Sequence, residues 1–290
     1  MLEIRIDDTL CRRDGICVTT CPQGIFQRSG EDDLPAIVRR EWCIECGHCV
    51  AACPHGAITH SGFPPEAVTP VASGILPPYD TLLELIRSRR SRRVFRPDIP
   101  GREQVSRVID ACRFAPSAHN VQSTRYLVVQ DGERLSRIAA LTADYLEKAA
   151  RQLRNPLIRN FYRLLLGREL DGALQGLEDM EWVVAEHRKG NDLILHRAPT
   201  LVLFHSDRAA VFAGVNANLA LQNGALAAEA MGLAAFYTGY VVAACDRDAG
   251  IAQYLSLPRT HKIYAGLAMG YPLVRFNYWV ERKPARITWL

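Results

Sequence analysis

Seven of the nine cysteines lie before residue 54, and four share one run: CIECGHCVAACP, residues 43 to 54, sets Cys43, Cys46, Cys49 and Cys53 ahead of Pro54. Gaps of two residues let three thiolates converge from one tight loop on a face of an iron–sulfur cubane. The fourth cysteine, held off by three residues and followed by proline, points toward a second cluster. A zinc site needs four ligands in two pairs and gives no reason for the third short gap or the proline. A related run, CRRDGICVTTCP, sets Cys11, Cys17, Cys21 and Pro22, with Asp14 where a further cysteine would fall.

Together the two runs resemble a bacterial-type two-cluster ferredoxin over residues 1 to about 60, departing from its eight-cysteine pattern only at Asp14. The resemblance implies one-electron transfer and a crossed ligand set. One [4Fe-4S] cluster would take Cys43, Cys46, Cys49 and Cys21; the other would take Cys11, Cys17 and Cys53, with Asp14 at the remaining corner. A carboxylate is a harder ligand than a thiolate, which leaves three forms for the second cluster: [4Fe-4S] through Asp14, [4Fe-4S] with water or an exogenous ligand there, or [3Fe-4S]. His48 and His55, beside ligand cysteines, are expected to contact backbone or solvent.

The second reactive pattern is cationic. RSRRSRRVFR at 87 to 96 places six arginines in ten residues at the end of an apolar helical stretch, with no carboxylate nearby in sequence. Such a run calls for an anion, and Ser91 adds a hydroxyl suited to a phosphate or a ring carbonyl. At 115 to 129, APSAHNVQSTRYLVV brings Asn120 and Gln122 through a Pro-Ser turn into a strand, where amides can read the polar edge of a planar ring.

Four pieces in order, R-R-S-x-R-x-F at 89 to 95, A-P-S-x-x-N-x-Q at 115 to 122, an Ala-rich helix ending GLAAFYTGY at 232 to 240, and RKPARITW at 282 to 289, are similar to the FMN-dependent nitroreductases over about residues 79 to 290. With the first half, the chain looks like a ferredoxin–nitroreductase fusion. The resemblance implies that Arg89, Ser91 and Arg93 contact FMN. Arg89 and Arg282 would hold its phosphate, and Arg90 and Arg93 would lie toward the ribityl chain and pyrimidine edge. Asn120, Gln122 and the backbone of Ser117 would reach the flavin from the other subunit of a homodimer, and the backbone of Thr238 or Gly239 would approach N5. A cation at the pyrimidine edge stabilises the charge that accumulates on reduction, a role given to Arg93. Ser123 departs from a frequent proline. The Arg-rich stretch 151 to 197, with Tyr162, Trp182, His187 and His196, corresponds to a variable wall of the family's pocket, and these four are expected to be structural.

The implied activity is reduction of a small acceptor, a nitroaromatic, quinone or activated alkene, with reduced ferredoxin or a similar protein as donor and no protein group as catalyst. The same parts also suit the opposite direction of electron flow, or a non-catalytic electron carrier or redox sensor.

The elements that must position these residues form an α+β chain: a ferredoxin-like domain at 1–60, a Pro-rich linker at 61–78 that favours extended backbone, and a nitroreductase-like domain at 79–290 with a mixed sheet flanked by helices. Hydrophobic runs predict strands at 126–131, 201–206 and 263–270, and helices near 133–150, 157–189, 209–232 and 246–255. Val105, Val108, Ile109 and Cys112 recur at helical spacing, which makes Cys112 core; Cys245 is likewise expected to pack. No G-x-G-x-x-G follows any strand, which excludes a Rossmann site. With 48% hydrophobic and 23% charged residues over 290, the chain is globular. Its net charge of +4 argues for no nucleic-acid partner. The apolar stretch from Val211 to Phe236, with Glu229 its single charge, reads as a buried helix rather than a membrane span. The first residues lack a basic, then apolar, leader, so the expectation is a cytoplasmic protein without disulfides.

Overall fold

The structure, a computed structural model, describes residues 2–166 and 169–290. It divides into two units, Met1–Pro77 with Ala118–Val121, and Pro78–Ser117 with Gln122–Leu290.

The first unit is a pair of half-repeats. β1 (Ile4–Ile6), α1 (Ile16–Thr20), β2 (Phe26–Gln27), β3 (Ala36–Ile37), α2 (His48–Ala52) and β4 (Ile58–His60) follow in order. β1 pairs antiparallel with β4, placing Ile4 opposite His60, and β2 pairs with β3. Ile4, Ile25, Phe26 and Ile58 form a small core against which Cys21, Cys43, Cys49 and Cys53 pack. Each short helix opens on a left-handed glycine, Gly15 at φ 71° and Gly47 at φ 72°, a conformation that only glycine adopts freely. Residues 64–80, which hold most of the Pro-rich segment, are exposed and form two single 3₁₀ turns, Pro65–Ala67 and Ser73–Ile75.

The second unit holds α3 (Tyr79–Ser88), α4 (Arg102–Arg113), β5 (Arg125–Val129), α5 (Gly132–Arg154), α6 (Pro156–Leu166), α7 (Glu169–Gln175), α8 (Leu177–Arg188), β6 (Thr200–Asp207), α9 (Ala213–Ala230), β7 (Ala234–Tyr237), α10 (Gly239–Arg247), α11 (Gly250–Tyr254) and β8 (His261–Gly270). The sheet order is β5-β6-β8-β7 with antiparallel ladders. Parallel pairing enters through a single bridge between Ser91 and Ala235, so the sheet is mixed only at that edge.

Alternation along β6 shows why helices cover both faces. Leu201 and Leu203 pack with Ile138, Leu146, Val183 and Ile263, while Val202 and Phe204 pack with Val108, Cys112, Ala217 and Leu267. α9, built largely of small residues, lies on the second face beside α4, so close that a Cβ on Gly224 would fall 2.5 Å from Cys112 Sγ.

Two expectations are corrected here. The Ala-rich helix does not run to 232 but ends at Ala230, and Ala234–Tyr237 is a strand; after only three residues of connection, four alanine- and aromatic-rich positions give no distinct period. The helical region predicted over 157–189 is broken into α6, α7 and α8 among the described residues; Gly167 and Arg168 lie outside them. Cys112 and Cys245 are core, buried at 1% and 8% exposure, and burial raises both thiols to about 12. No helix among the described residues is long and apolar enough to cross a membrane.

Candidate functional site

In the first unit the ligand-type side chains gather around two cavities. Cys21, Cys43, Cys46 and Cys49 line one; Cys11, Asp14, Cys17 and Cys53 line the other, with His55. Each cavity thus draws one cysteine from the other run, Cys21 or Cys53. Among the described residues, no three His, Cys, Asp or Glu side chains form a group that would hold a single metal ion. The backbone supplies donors to sulfur: Arg13 N–H to Cys11 Sγ at 3.4 Å, Glu45 N–H to Cys43 Sγ at 3.4 Å, Ile25 N–H to Cys21 Sγ at 3.3 Å and Ala57 N–H to Cys53 Sγ at 3.4 Å. Arg13 and Glu45 reach these positions through left-handed backbone, at φ 57° and 51°. Burial pushes the thiols of Cys17 and Cys43 up and that of Cys49 to about 11. Thiolates in such surroundings need a cationic partner, which suits iron.

Asp14 is not simply solvated. Its Oδ1 accepts the Ile16 N–H at 3.1 Å at the start of α1, and its Oδ2 lies 3.8 Å from His55 Nε2. One carboxylate oxygen holds the turn while the other stays beside the cavity of Cys11, Cys17 and Cys53. His48 lines the other cavity.

In the second unit the arginine run is threaded along the sheet edge. Arg89 ends α3, its N–H on the Leu85 carbonyl at 3.2 Å. The Ser91–Ala235 bridge and the Arg92 N–H on the Ala235 carbonyl at 3.2 Å then lay the segment beside β7. Neighbouring side chains therefore diverge. Arg92 turns inward to an ion pair with Glu229 of α9, both side chains little exposed at 14% and 11%. Arg93 stays exposed, its guanidinium carbon 5.4 Å from the centroid of the Phe236 ring. The expectation that no carboxylate lies nearby in sequence is corrected by Asp98, whose Oδ2 accepts from Arg96 Nε at 2.8 Å; Glu229, 137 residues away in sequence, serves Arg92. Its carboxyl is raised by burial, with Arg92 and Arg89 acting in the opposite direction. The signal was its place as the one charge in an apolar helix.

Arg93 opens onto a cavity of about 510 Å³ that it lines with His196, Phe236, Tyr237, Gly239 and Tyr240. An adjoining cavity of about 630 Å³ shares Tyr237 and Gly239 and is bordered by Lys148, Gln152, Tyr162 and Arg247. Gly239 is the first residue of α10, so its N–H belongs to the set that no helical carbonyl satisfies. Thr238, 1% exposed, donates its N–H to the Gly266 carbonyl at 2.9 Å, and its buried Oγ1 has no partner among the described residues. His196, stacked edge-on to Phe236 at 5.3 Å, has its pKa lowered first by burial and then by Arg93. It is neutral near pH 7 and adds no charge to the cavity.

Of the other candidates, Arg90 is half-buried, Ser91 is exposed, and Arg282 is exposed beyond β8; none of them, nor Arg89, Ser117, Gln122 or Thr238, lines the Arg93 cavity. The Ser117 hydroxyl accepts the Gln122 N–H at 3.0 Å. His119, Asn120 and Gln122 are left-handed at φ 50°, 53° and 44°, a tight turn that asparagine tolerates better than its neighbours. Within the first unit, Asn120 Nδ2 donates to the Glu45 carbonyl at 2.7 Å and to that of Ile44 at 3.3 Å. Tyr162 donates to Gln152 at 3.5 Å, Trp182 is 59% exposed, and His187 sits in the last turn of α8.

Thiol cavities in one unit and an arginine-edged cavity on an antiparallel sheet in the other define a redox protein of two modules. The Nitroreductase family matches residues 86–271, and a 4Fe-4S dicluster domain matches residues 9–58. The chain belongs to the nitroreductase family, and with its leading dicluster domain it is a ferredoxin–nitroreductase fusion, an oxidoreductase. Similar solved structures include a nitroreductase with bound FMN from Desulfitobacterium hafniense, 20% identical over 72% of this chain and 97% of that one at a TM-score of 0.54. Another, from Bacteroides fragilis and also with bound FMN, is 21% identical over 72% of this chain and 98% of that one, TM-score 0.50. An FMN-dependent nitroreductase from Clostridium difficile is 20% identical over 71% of this chain and 98% of that one, TM-score 0.50. At such identities the likeness is one of fold. No curated protein matches the chain.

Proposed function

We propose that this chain is an FMN-dependent oxidoreductase that takes single electrons through two iron–sulfur clusters and reduces a small planar acceptor, a nitroaromatic, quinone or activated alkene, in the cytoplasm. The observation that carries the reading is the cavity edged by Arg93 and Gly239, in a chain whose other unit presents two sets of cluster ligands. The residues fit the groups: an exposed guanidinium and an uncommitted helix-start amide on one side, seven thiols and a carboxylate on the other.

When bound, FMN supplies two-electron chemistry and the clusters supply one-electron transfer. Arg93 sets a fixed cation at the ring's pyrimidine edge, where reduction adds negative charge. Arg89 and Arg282 would neutralise the phosphate, Arg90 and Ser91 would bind the rest of the FMN, and the backbone of Thr238 or Gly239, the latter with no Cβ in the way, would serve the flavin ring. Aromatic Phe236, Tyr237 and Tyr240 exclude water from the acceptor's side. Cys21, Cys43, Cys46 and Cys49 would hold one [4Fe-4S] cluster; Cys11, Cys17 and Cys53, with Asp14, would hold the other, a [4Fe-4S] or [3Fe-4S] cluster.

Ser117, Gln122 and Asn120, the last through its Oδ1 because its Nδ2 is held by the Ile44 and Glu45 carbonyls, complete the flavin site of a second copy in a homodimer. Large exposed apolar side chains are available to such an interface: Phe114 is 72% exposed, Phe212 65%, Val215 57% and Trp289 89%.

The direction of flow is set by a rapid-mixing experiment. Oxidised protein is mixed anaerobically with reduced ferredoxin, NADH or NADPH, and flavin bleaching is followed against cluster absorbance. Bleaching by ferredoxin alone, after cluster reduction, is the expected result. Bleaching by a nicotinamide with the clusters lagging overturns it and makes the ferredoxin unit an exit for electrons.

A further inference from the structure

Cys43 stands apart from the other cysteines of its unit. A displacement of 32 residues relates Cys11 to Cys43, Asp14 to Cys46, Cys17 to Cys49 and Cys21 to Cys53. The backbone donors obey the same relation: Cys11 and Cys43 each accept the N–H two residues on, and Cys21 and Cys53 each accept the N–H four residues on. At one place the two-fold scheme breaks. His60 Nε2 lies 3.6 Å from Cys43 Sγ, and among the described residues no other cysteine of the unit has a side-chain donor. The residue equivalent to His60 is Arg28, whose Nη1 donates to the carbonyls of Arg13 and Glu31 instead.

The surroundings decide which ring nitrogen carries the proton. The Gly62 N–H donates to His60 Nδ1 at 3.0 Å, so Nδ1 presents its lone pair. With Nδ1 accepting, the ring's proton sits on Nε2, which faces sulfur. The ring is 4% exposed, held by β4 opposite Ile4, with the Phe63 ring at 4.8 Å. Gly62 packs closely here: a Cβ there would fall 2.7 Å from Glu45 Oε2 and 3.1 Å from His60 Cε1.

We propose that His60 is a tuning residue whose Nε2–H donates to Cys43 Sγ and raises the reduction potential of the Cys21, Cys43, Cys46, Cys49 cluster. The inference rests on the ligand assignment proposed above. Reduction adds one electron to a cluster and spreads negative charge over its sulfurs, and a donor aimed at a ligand sulfur stabilises the reduced state more than the oxidised one. No bond breaks and His60 keeps its proton.

The test is an EPR-monitored redox titration of the full-length, cluster-loaded protein, with dithionite as reductant, beside the variant His60→Phe, which keeps a ring in the same space. One cluster signal should become about tenfold harder to reduce, ~59 mV for one electron, while the other signal stays in place as an internal control. Two unmoved signals, or two moved equally, overturn the role of His60. Pulsed EPR on reduced wild-type protein carrying ¹⁵N-histidine covers a variant that fails to fold: a weak ¹⁵N coupling on one cluster is expected, and its absence overturns the proposal. Wild-type protein that binds no iron would overturn the ligand assignment, and this inference with it.

Discussion

The guanidinium of Arg92 is paired with the carboxylate of Glu229, and that pair fixes the edge segment from which Ser91 and Arg93 project outward. The pair joins the edge segment to α9, deep enough that Arg92 Nε is buried with no partner among the described residues. Removing one charge leaves the other desolvated and alone, the costly case for a buried pair. Glu229→Ala should therefore destabilise the second unit by about 3–5 kcal/mol, read from urea unfolding, and should weaken FMN retention. The double variant Arg92→Leu with Glu229→Leu should recover much of the stability. Equal losses in single and double variants would show that the pair carries no such role.

A second buried pair makes stability depend on pH. His205 Nδ1 and His261 Nδ1 lie 2.9 Å apart on β6 and β8, both 7% exposed. One must donate and the other accept, so at most one of these facing nitrogens carries a proton. Burial first, then His261 and Arg125, lowers the pKa of His205 to about 4. The unfolded chain titrates near 6.5, so it binds this proton more readily than the folded one. The contribution is fully present above about pH 6.5 and is lost as pH falls toward 4, by at most about 3 kcal/mol. Unfolding midpoints taken from pH 7 to pH 4.5 should drop, and His205→Phe should flatten that slope.

The contact between α4 and α9 yields a packing prediction. A methyl added at Gly224 would meet Cys112 Sγ at 2.5 Å and Val108 Cγ1 at 3.5 Å in a closed interface. Gly224→Ala should cost about 1–3 kcal/mol despite improving helix propensity, and adding Cys112→Ala should return part of that cost. Simple additivity of the two in thermal unfolding would mean that the helices give way elsewhere.

What the sequence made legible was local. The cysteine runs can be read because their ligands are spaced within one or two turns, and the long runs of β6 and β8 declare themselves as buried strands. Glu229 as the partner of Arg92 could not be paired by spacing, since 137 residues separate them and helix α9 must first be laid on the sheet. The run of arginines gave no sign that Arg92 differs from its neighbours, yet extended backbone beside β7 sends Arg92 inward and leaves Arg93 at the surface. His60 was equally hidden: its approach to Cys43 depends on β4 pairing with β1. Asn120, expected to read a ring edge, places its Nδ2 on the carbonyls of Ile44 and Glu45, more than 70 residues away, a contact that the pattern A-P-S-x-x-N-x-Q does not reveal.

Asp14 offers the most direct chemical test of the first unit. It lines the cavity with Cys11, Cys17 and Cys53, in the position that Cys46 holds in the equivalent run, and its Oδ2 is not taken by the turn that occupies Oδ1. A carboxylate at that corner binds iron less firmly than a thiolate would, so this iron should be the one most readily lost, on oxidation or to a chelator. Asp14→Cys restores four thiols around the cavity and should give a full-cysteine [4Fe-4S] cluster that resists such loss. Low-temperature EPR of oxidised and reduced samples reads the change: any [3Fe-4S] signal should disappear, and the reduced spectrum of one cluster should alter while the other is retained. Spectra identical to wild type in both states would mean that Asp14 touches no iron and serves only to cap α1.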